Sequence, residues 1–382
     1  MIERITYLDN NATTRVADEV VAAMLPCFTE AYGNPSSVHH FGAQVAARIE
    51  QARAHVAALI GARESEIVFT SGGTEADNAA LRGVAAARPS KRHIVISTIE
   101  HPAILETAEQ LERDGLSVTR VGVDGDGRVD LDALAAAVRP DTLLVSIMLA
   151  NNETGVIQPL RQIADIAHRG GALAHTDAVQ AIAKMPVNVG DLAVDLLSLS
   201  SHKFHGPKGA GALYVRGGTA FRSIMFGGPQ ERGRRGGTLN APGIIGLGAA
   251  CRLAAEHLGA ADTLRRLRDR MEREIVARIP GAHVMGAAAP RLCNTSCICF
   301  AGVEAEAVLV LLSEAGVCVS SGAACHSGSL EPSHVICAMG VDPAIAQGQL
   351  RFSLSRFNTE EDVDRLVALL PQIIAKVAAV SA

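Results

Sequence analysis

Short apolar runs alternate with helical patterns through the first two thirds of the chain, and this alternation restricts the fold more than any other feature. The runs predict strands, and they read "EIVFTSGG" (66–73), "HIVIS" (93–97), "TLLVSIMLANN" (142–152), "ALAHTDAV" (172–179), "DLLSLSS" (195–201) and "GALYV" (211–215). Helical stretches such as "LRQIADIAHRGG" separate several of them. Strands and helices in alternation predict an α/β fold with a mostly parallel sheet that helices cover on both faces.

The last third of the chain has a different pattern, in which long amphipathic helices begin around residues 245–260. The elements predicted there are helices over 261–279 and 304–316, a strand over 349–356 and a closing helix from Thr359. A chain of 382 residues is too long for one ordinary core. We therefore predict two domains, a large one of residues 15–250 and a smaller α+β one of residues 1–14 and 251–382.

Composition narrows the function classes. Hydrophobic residues make up 48% of the chain but aromatic residues only 3%, so the core is aliphatic. The net charge of -5 and the lack of a long basic block argue against nucleic acid as the main partner. The start, "MIERITYLDNNATT", has no apolar signal segment, and no apolar run is long enough to span a bilayer. We expect a cytoplasmic protein, away from membranes, whose eight cysteines are thiols.

Polar or ionisable residues follow five of the predicted strands, where ligands bind in open α/β sheets. They are the Gly73-Thr74 turn, His101, the pair Asn151 and Asn152, the pair Asp177 and Gln180, and the group Ser200, His202 and Lys203. Each is ambiguous by itself, because a Gly-Gly-Thr turn is also an ordinary helix start and a lone lysine is usually a surface residue. Their convergence on one edge of one sheet predicts a single site.

These residue types suit pyridoxal phosphate catalysis. A lysine forms the covalent link to the cofactor, an aspartate pairs with its pyridine nitrogen, and a helix N-terminus binds its phosphate. Lys203, Asp177 and the turn at Gly73 supply these three groups. The sequence therefore predicts a pyridoxal 5'-phosphate site, with Lys203 as the covalent link.

Three clustered cysteines, Cys293, Cys297 and Cys299, permit a different hypothesis, a non-catalytic iron–sulfur carrier. Cys297 and Cys299 alternate with apolar residues in a strand-like segment, and the chain has no Cys-x-x-Cys pair. We expect buried structural thiols there and no resident metal.

The chain resembles the NifS/IscS group of cysteine desulfurases, which are pyridoxal phosphate enzymes. The matching motifs occur in the family order nearly from end to end: "YLDNNATT", "GNPSS", "FTSGGTEADN", "EHPA", "NNETG", "HTDAVQ", "SSHKFHGPKG", "ERGRRGGT", "SSGAAC" and "RFSLSR". The resemblance implies the aspartate-aminotransferase-like fold (fold type I), with a seven-stranded sheet in the large domain. It also implies a homodimer that converts L-cysteine to L-alanine and donates sulfur for iron–sulfur cluster assembly.

By position, the resemblance also implies a role for individual residues. Lys203 is implied as the covalent lysine of the cofactor, Asp177 as the partner of its ring nitrogen and His101 as the residue stacked on its ring. Gln180 and Asn152 are implied near the hydroxyl group of the cofactor and the substrate. The residues implied at the phosphate are Gly73, Thr74, Ser200 and His202. Thr238 would reach the phosphate from a second subunit. Arg351 would bind the substrate carboxylate through its planar guanidinium fork.

Cys325, in "VSSGAACHSGS", is the implied sulfur acceptor and could contact a cluster during transfer. The alternative for Cys325 is an incidental loop thiol. The chain reads "SGAAC" where the family commonly has serine before Ala-Cys, and "SGGTE" where alanine or cysteine is common at the second glycine. A related aminotransferase or a selenocysteine lyase remain alternative functions. "ERGRRGGT" and "LSRF" favour nitrogenase maturation over housekeeping cluster assembly, and the sulfur acceptor, an iron–sulfur scaffold or another protein, stays open.

Overall fold

The computed structural model of the chain describes residues 4–322 and 332–381, which form two connected α/β units. The strands are β1 (Thr6–Tyr7), β2 (Ile67–Thr70), β3 (His93–Ser97), β4 (Ser117–Val121), β5 (Thr142–Ser146), β6 (Leu173–Asp177), β7 (Leu196–Ser200), β8 (Gly211–Val215), β9 (Pro229–Gln230), β10 (Arg235–Gly236), β11 (Ala282–Val284), β12 (Thr295–Phe300), β13 (Val317–Cys318) and β14 (Gln349–Ser353). The helices are α1 (Asp18–Met24), α2 (Pro26–Thr29), α3 (His40–Ile60), α4 (Gly73–Ala87), α5 (Pro102–Arg113), α6 (Leu131–Ala137), α7 (Leu160–Arg169), α8 (Val189–Leu192), α9 (Ala241–His257), α10 (Ala261–Arg278), α11 (Ala305–Glu314), α12 (His334–Ala338), α13 (Pro343–Ala346) and α14 (Glu360–Ser381).

The larger unit is built on a seven-stranded sheet with the order β2-β8-β7-β6-β5-β3-β4. Only β8 is antiparallel to its neighbours, so the prediction of a mostly parallel seven-stranded sheet is confirmed. The predicted strands are all present; β3 and β8 match their apolar runs, and the others are shorter than the runs. The run over 142–152, for example, ends as a strand at Ser146.

Helices cover both faces of this sheet because alternate residues of its strands face opposite sides. Val95 belongs to the core shared with α3, α7 and α9, whereas Ile94 and Ile96 belong to the core shared with α4 and α5. Phe69 and Val68 divide between the two cores in the same way. The near-continuous apolar runs of the sequence thus follow from burial on both faces.

The smaller unit is a three-stranded antiparallel sheet, β11-β12-β14, packed on α10, α11 and α14. Ile298 and Phe300 of β12 face that core, while Cys297 and Cys299 face the opposite side, against Val335. Both thiols are fully buried, as the alternation predicts. The N-terminal β1 pairs in parallel with β13, and an isolated bridge joins Asp9 to Ser353 of β14.

The link between the two units follows α9. That helix crosses position 250 and keeps its buried residues, such as Leu253, in the core of the large sheet. A short turn, Leu258–Ala260, leads into α10, whose buried residues belong to the second core. The division at residue 250 stays a prediction. In the part of the chain that is described, we find no helix of the length and apolarity that crossing a membrane requires.

Candidate active site

The five predicted site segments meet at one edge of the large sheet. Strands β2, β3, β5, β6 and β7 run in one direction, so their carboxyl ends lie side by side. Lys203 follows β7 in a single 3₁₀ turn. After burial, its charge also acts on the pKa values of His101, Asp177 and His202, because these side chains lie near the amine.

Lys203 is held by the N-terminal segment of the chain. Its Nζ donates hydrogen bonds to the carbonyl oxygens of Asn11 at 2.7 Å and Ala12 at 3.0 Å. The backbone N–H and the Oγ1 of Thr14 both donate to the carbonyl oxygen of His202 at 2.9 Å. The segment "YLDNNATT" therefore holds the turn that carries Lys203 in place.

The other lysine of the motif, Lys208, is exposed beyond the Gly206-Pro207 turn, and no hydrogen bond of the described residues joins it to the cluster. This placement agrees with the choice of Lys203 as the lysine of the site.

Asp177 ends β6 and is buried. Its Oδ1 accepts a hydrogen bond from the N–H of Val179 at 2.8 Å. Burial raises the pKa of Asp177 to about 6, although the Val179 N–H and the charge of Lys203 lower it. A cationic partner restores the ionised form of such a carboxylate, and the protonated nitrogen of a pyridine ring is a partner of that kind.

The two histidines at this edge are neutral at neutral pH. Burial, followed by the charge of Lys203, lowers the pKa values of His101 and His202 to about 4. His101 Nδ1 accepts from the N–H of Ala103 at 3.1 Å, so its proton lies on Nε2. His101 therefore caps α5 and also presents a neutral imidazole to the site. His202 Nδ1 lies 3.2 Å from Thr13 Oγ1.

A candidate anion-binding site lies at the N-terminus of α4, where β2 leads into the helix. The N-cap residue, Gly72, has no side chain to cap the helix, so among the described residues the first N–H groups are available, and the helix dipole favours an anion there. A Cβ built on Gly73 would lie 2.9 Å from Val179 Cγ2 and 3.6 Å from Ser200 Cβ. Gly73 and Ser200 thus face each other closely, while Thr74 is exposed at the helix start.

These groups fit pyridoxal phosphate. An uncapped helix N-terminus suits the phosphate, a buried carboxylate with a raised pKa suits the ring nitrogen, and an amine between them suits the covalent link. The neutral imidazole of His101 suits the face of a flat ring.

Arg351, on β14, is almost fully buried beside these residues. Its Nη2 donates to Asp9 Oδ1 at 2.8 Å and its Nη1 to the carbonyl oxygen of Asn152 at 3.3 Å. Its Nε is buried and has no hydrogen-bond partner among the described residues. The structure thus brings Arg351 and Asn152 together and leaves part of the guanidinium fork for a further acceptor. The sequence analysis missed Asp9, although the residue lies within "YLDNNATT".

Gln180 contacts the same N-terminal segment. Its Nε2 donates to the carbonyl oxygen of Asn11 at 3.0 Å, the oxygen that also accepts from Lys203. Its Oε1 accepts from Lys184 Nζ at 2.6 Å. The sequence analysis missed Asn11 and Lys184. The signals for them were the asparagine pair in "YLDNNATT" and a lysine four residues after Gln180.

Cys325 lies outside the described residues, but both segments that flank residues 323–331 contact the site. Ser320 forms a backbone bridge with Arg351, with N···O distances of 3.2 and 2.7 Å. On the other side, Ser333 Oγ donates to Glu153 at 2.6 Å. His334 Nε2 lies 3.0 Å from the carbonyl oxygen of Glu100, the residue before His101.

Thr238 is exposed, and among the described residues it has no hydrogen bond to the cluster. Its segment is firmly anchored. Glu231 is buried in a bidentate ion pair with Arg53, at 2.8 Å for both contacts, and accepts from the N–H of Phe69 at 2.9 Å. Breaking such a buried pair costs about 3–5 kcal/mol, enough to hold the positive φ of 49° at Glu231. Arg235 also pairs with Glu75 of α4 at 3.0 Å. Contact of Thr238 with a second subunit stays a prediction.

The three clustered cysteines are buried thiols. Cys293 donates to the carbonyl oxygen of Lys184 at 3.4 Å, and burial raises its pKa. The pKa of Cys297 is raised by its hydrogen bond with Cys299 and by burial. Across residues 4–322 and 332–381, no group of three or more His, Cys, Asp or Glu side chains is placed to hold a metal ion.

Comparison with known proteins gives the family. The aminotransferase class-V model matches residues 6–366. A cysteine desulfurase of Cereibacter sphaeroides is 54% identical over all of this chain and 98% of its own length. The cysteine desulfurase NifS of Azotobacter vinelandii is 48% identical over 98% of this chain and 94% of its own length.

Solved structures agree. A NifS-like protein superposes with a TM-score of 0.92 at 42% identity and covers 98% of this chain and 100% of its own. The protein SspA, solved in complex with cysteine, has a TM-score of 0.82 at 35% identity, over 92% of this chain and 99% of its own. With the geometry at Lys203, these matches show that the chain belongs to the NifS/IscS-type cysteine desulfurases, pyridoxal phosphate enzymes of the aminotransferase class-V family.

Proposed function

We propose that this enzyme removes sulfur from L-cysteine at the cluster around Lys203 and receives it on Cys325. One sulfur atom moves from the substrate thiol to the Cys325 thiol, so cysteine and the enzyme thiol become alanine and an enzyme persulfide. The observation that carries the proposal is the position of the segments flanking Cys325. Ser320 is bridged to Arg351, and His334 contacts the residue before His101.

Each residue of the cluster has a task in this proposal. When bound, pyridoxal phosphate supplies an electron sink that weakens bonds at the α- and β-carbons of the substrate. Lys203 holds the cofactor covalently and moves protons, and Asp177 keeps its ring nitrogen protonated. Gly73, Thr74, Ser200 and His202 bind its phosphate. His101 covers the ring with a neutral imidazole, and its Nε2–H is available as a hydrogen-bond donor.

The assignment of Arg351 to the substrate carboxylate gives a testable prediction. We expect Arg351→Ala to raise KM for cysteine about 30-fold or more, because losing a buried charged hydrogen bond costs about 2–5 kcal/mol. Arg351→Lys should recover little, since an ammonium cannot form the bidentate contact. Steady-state kinetics of the holoenzyme measure this.

Arg82→Ala, at an exposed arginine on α4, is the matched control and should keep the wild-type KM. A wild-type KM in Arg351→Ala would reject the role of Arg351. The cofactor should stay bound in every variant, because the proposed cofactor contacts are untouched.

The reaction itself is tested by product analysis. Holoenzyme given L-cysteine and a dithiol should release alanine and sulfide in equal amounts, with one dithiol oxidised per turnover. A related aminotransferase would instead transfer the amino group to a keto acid and leave the substrate sulfur in place. A selenocysteine lyase would release selenide from selenocysteine and little sulfide from cysteine. Either outcome would contradict the proposal.

Two further elements are the dimer and the acceptor. In the homodimer, Thr238 of each subunit binds the cofactor phosphate of its partner, and the exposure of Thr238 on an anchored segment supports this arrangement. The persulfide sulfur goes to an iron–sulfur scaffold or another acceptor protein, in iron–sulfur cluster assembly that serves nitrogenase maturation. The similarity to the NifS of Azotobacter vinelandii supports this destination. The reaction is placed in the cytoplasm.

A further inference from the structure

Lys184 is a half-buried lysine with no assigned task in the reaction. Its Nζ donates to Gln180 Oε1 at 2.6 Å and to Asn11 Oδ1 at 3.3 Å. Among the described residues, no carboxylate forms an ion pair with it. Burial, followed by the charge of Lys203, lowers the pKa of Lys184 to about 7. Partly removing a lysine from water without a carboxylate partner has a cost, so its hydrogen bonds need an explanation.

The bond from Lys184 to Asn11 Oδ1 has a fixed direction. The Nδ2 of Asn11 donates to the carbonyl oxygen of Asn152 at 3.1 Å and to Thr295 Oγ1 at 2.9 Å. A backbone carbonyl can only accept, so the amide of Asn11 cannot be reversed. Asn11 Oδ1 therefore faces Lys184, where it also accepts from Asn294 Nδ2 at 3.0 Å.

The bond from Lys184 to Gln180 Oε1 constrains the amide of Gln180. The amine of Lys184 donates to Gln180 Oε1, and even a neutral amine has two N–H groups for its two acceptors. Gln180 Nε2 must then lie on the other side, where one of its N–H groups donates to the carbonyl oxygen of Asn11. That same oxygen accepts from Lys203. The carbonyl oxygen of Asn11 can only accept, so this oxygen and the Lys184 amine together fix the two ends of the Gln180 amide.

We propose that Lys184 is a positioning residue that presents the N–H side of the Gln180 amide, rather than its oxygen, to the ring hydroxyl of the cofactor. The inference rests on the proposed function, in which Gln180 lies near that hydroxyl. An N–H donor stabilises the ionised form of the ring oxygen, whereas an amide oxygen would destabilise it. Lys184 thereby sets the protonation state of the bound cofactor without contacting the substrate.

The test is a pH titration of the visible absorption band of the bound cofactor. We expect Lys184→Met to move the midpoint upward by about one pH unit. Lys184→Arg, which keeps two N–H donors, should restore most of the shift. Gln180→Ala should move the midpoint in the same direction, and the double variant Gln180→Ala/Lys184→Met should move it no further, because both act through one amide. The exposed Lys208→Met is the matched control and should keep the wild-type midpoint.

Kinetics supply a second readout. Lys184→Met should lower kcat and leave KM for cysteine near the wild-type value, because Arg351 is unchanged. A wild-type midpoint in Lys184→Met, or additive shifts in the double variant, would overturn the inference. If Lys184→Met does not fold, Lys184→Leu, which also lacks an N–H donor, is titrated under the same criteria. Failure of the proposed function is distinguishable, because the wild-type enzyme would then release no alanine and sulfide from cysteine.

Discussion

Lys203→Ala is expected to reduce sulfide release from cysteine by about 10²–10⁴-fold or more, since the variant loses both a proton-transferring amine and the covalent link to the cofactor. The fold should survive, because the substitution removes surface-edge hydrogen bonds such as those to the carbonyls of Asn11 and Ala12 and leaves the core unchanged. The visible band of the covalently bound cofactor should be lost. Absorption spectra and sulfide assays of the purified variant measure both effects.

The choice of Lys203 can be tested against a second lysine, because the amine of Lys184 lies close by. Lys184 and Lys203 both donate to Asn11, one to its side chain and the other to its backbone. Borohydride reduction of the wild-type holoenzyme followed by peptide mapping should place the label on Lys203. A label on Lys184 or Lys208 would contradict the assignment, and Lys208→Ala should retain full activity.

The sheet and its ligand-binding edge were predictable from the sequence because burial on both faces leaves long apolar runs, and each run stops where the chain leaves the sheet. Asp177 is an example, because an acidic residue at the end of an apolar strand indicates where the buried strand ends and the polar site begins. The edge strand β4 was not predicted. Four of its five residues are half-buried or exposed, so "SVTRV" carries no apolar run.

The contacts that hold the site residues in place were harder to predict from the sequence. Asn11 and Thr14 reach Lys203 and His202 from almost 200 positions away, and Asp9 meets Arg351 from still farther along the chain. Neither the hydrophobic periodicity nor the spacing of motifs in the sequence indicates such contacts, because they form only when the two units pack together. The quoted motif "YLDNNATT" indicated that this segment matters, but the partner of each residue needed the structure.

Cys325→Ala is expected to keep the visible band of the bound cofactor and still bind cysteine, but to release almost no sulfide. The substrate sulfur needs an acceptor, and a thiolate attacks sulfur readily and forms a persulfide that can be passed on. None of the proposed cofactor-binding residues is changed in this variant, so substrate binding should persist.

Two other thiols near the site provide the controls for this prediction. Cys318 pairs with Tyr7 in the β1–β13 ladder, and burial and Asp9 raise its pKa. Cys337 is exposed on α12, and partial desolvation, followed by the charge of Glu153, raises its pKa. A raised pKa leaves less thiolate at neutral pH, so both are poorer acceptors. Cys318→Ala and Cys337→Ala should therefore keep near-normal sulfide release.

After brief cysteine treatment without reductant, mass spectrometry of the wild-type enzyme should find one added sulfur atom on the peptide that contains Cys325. Full activity in Cys325→Ala, or the added sulfur on Cys337, would remove Cys325 from the mechanism, and in the second case the acceptor would be the thiol on α12.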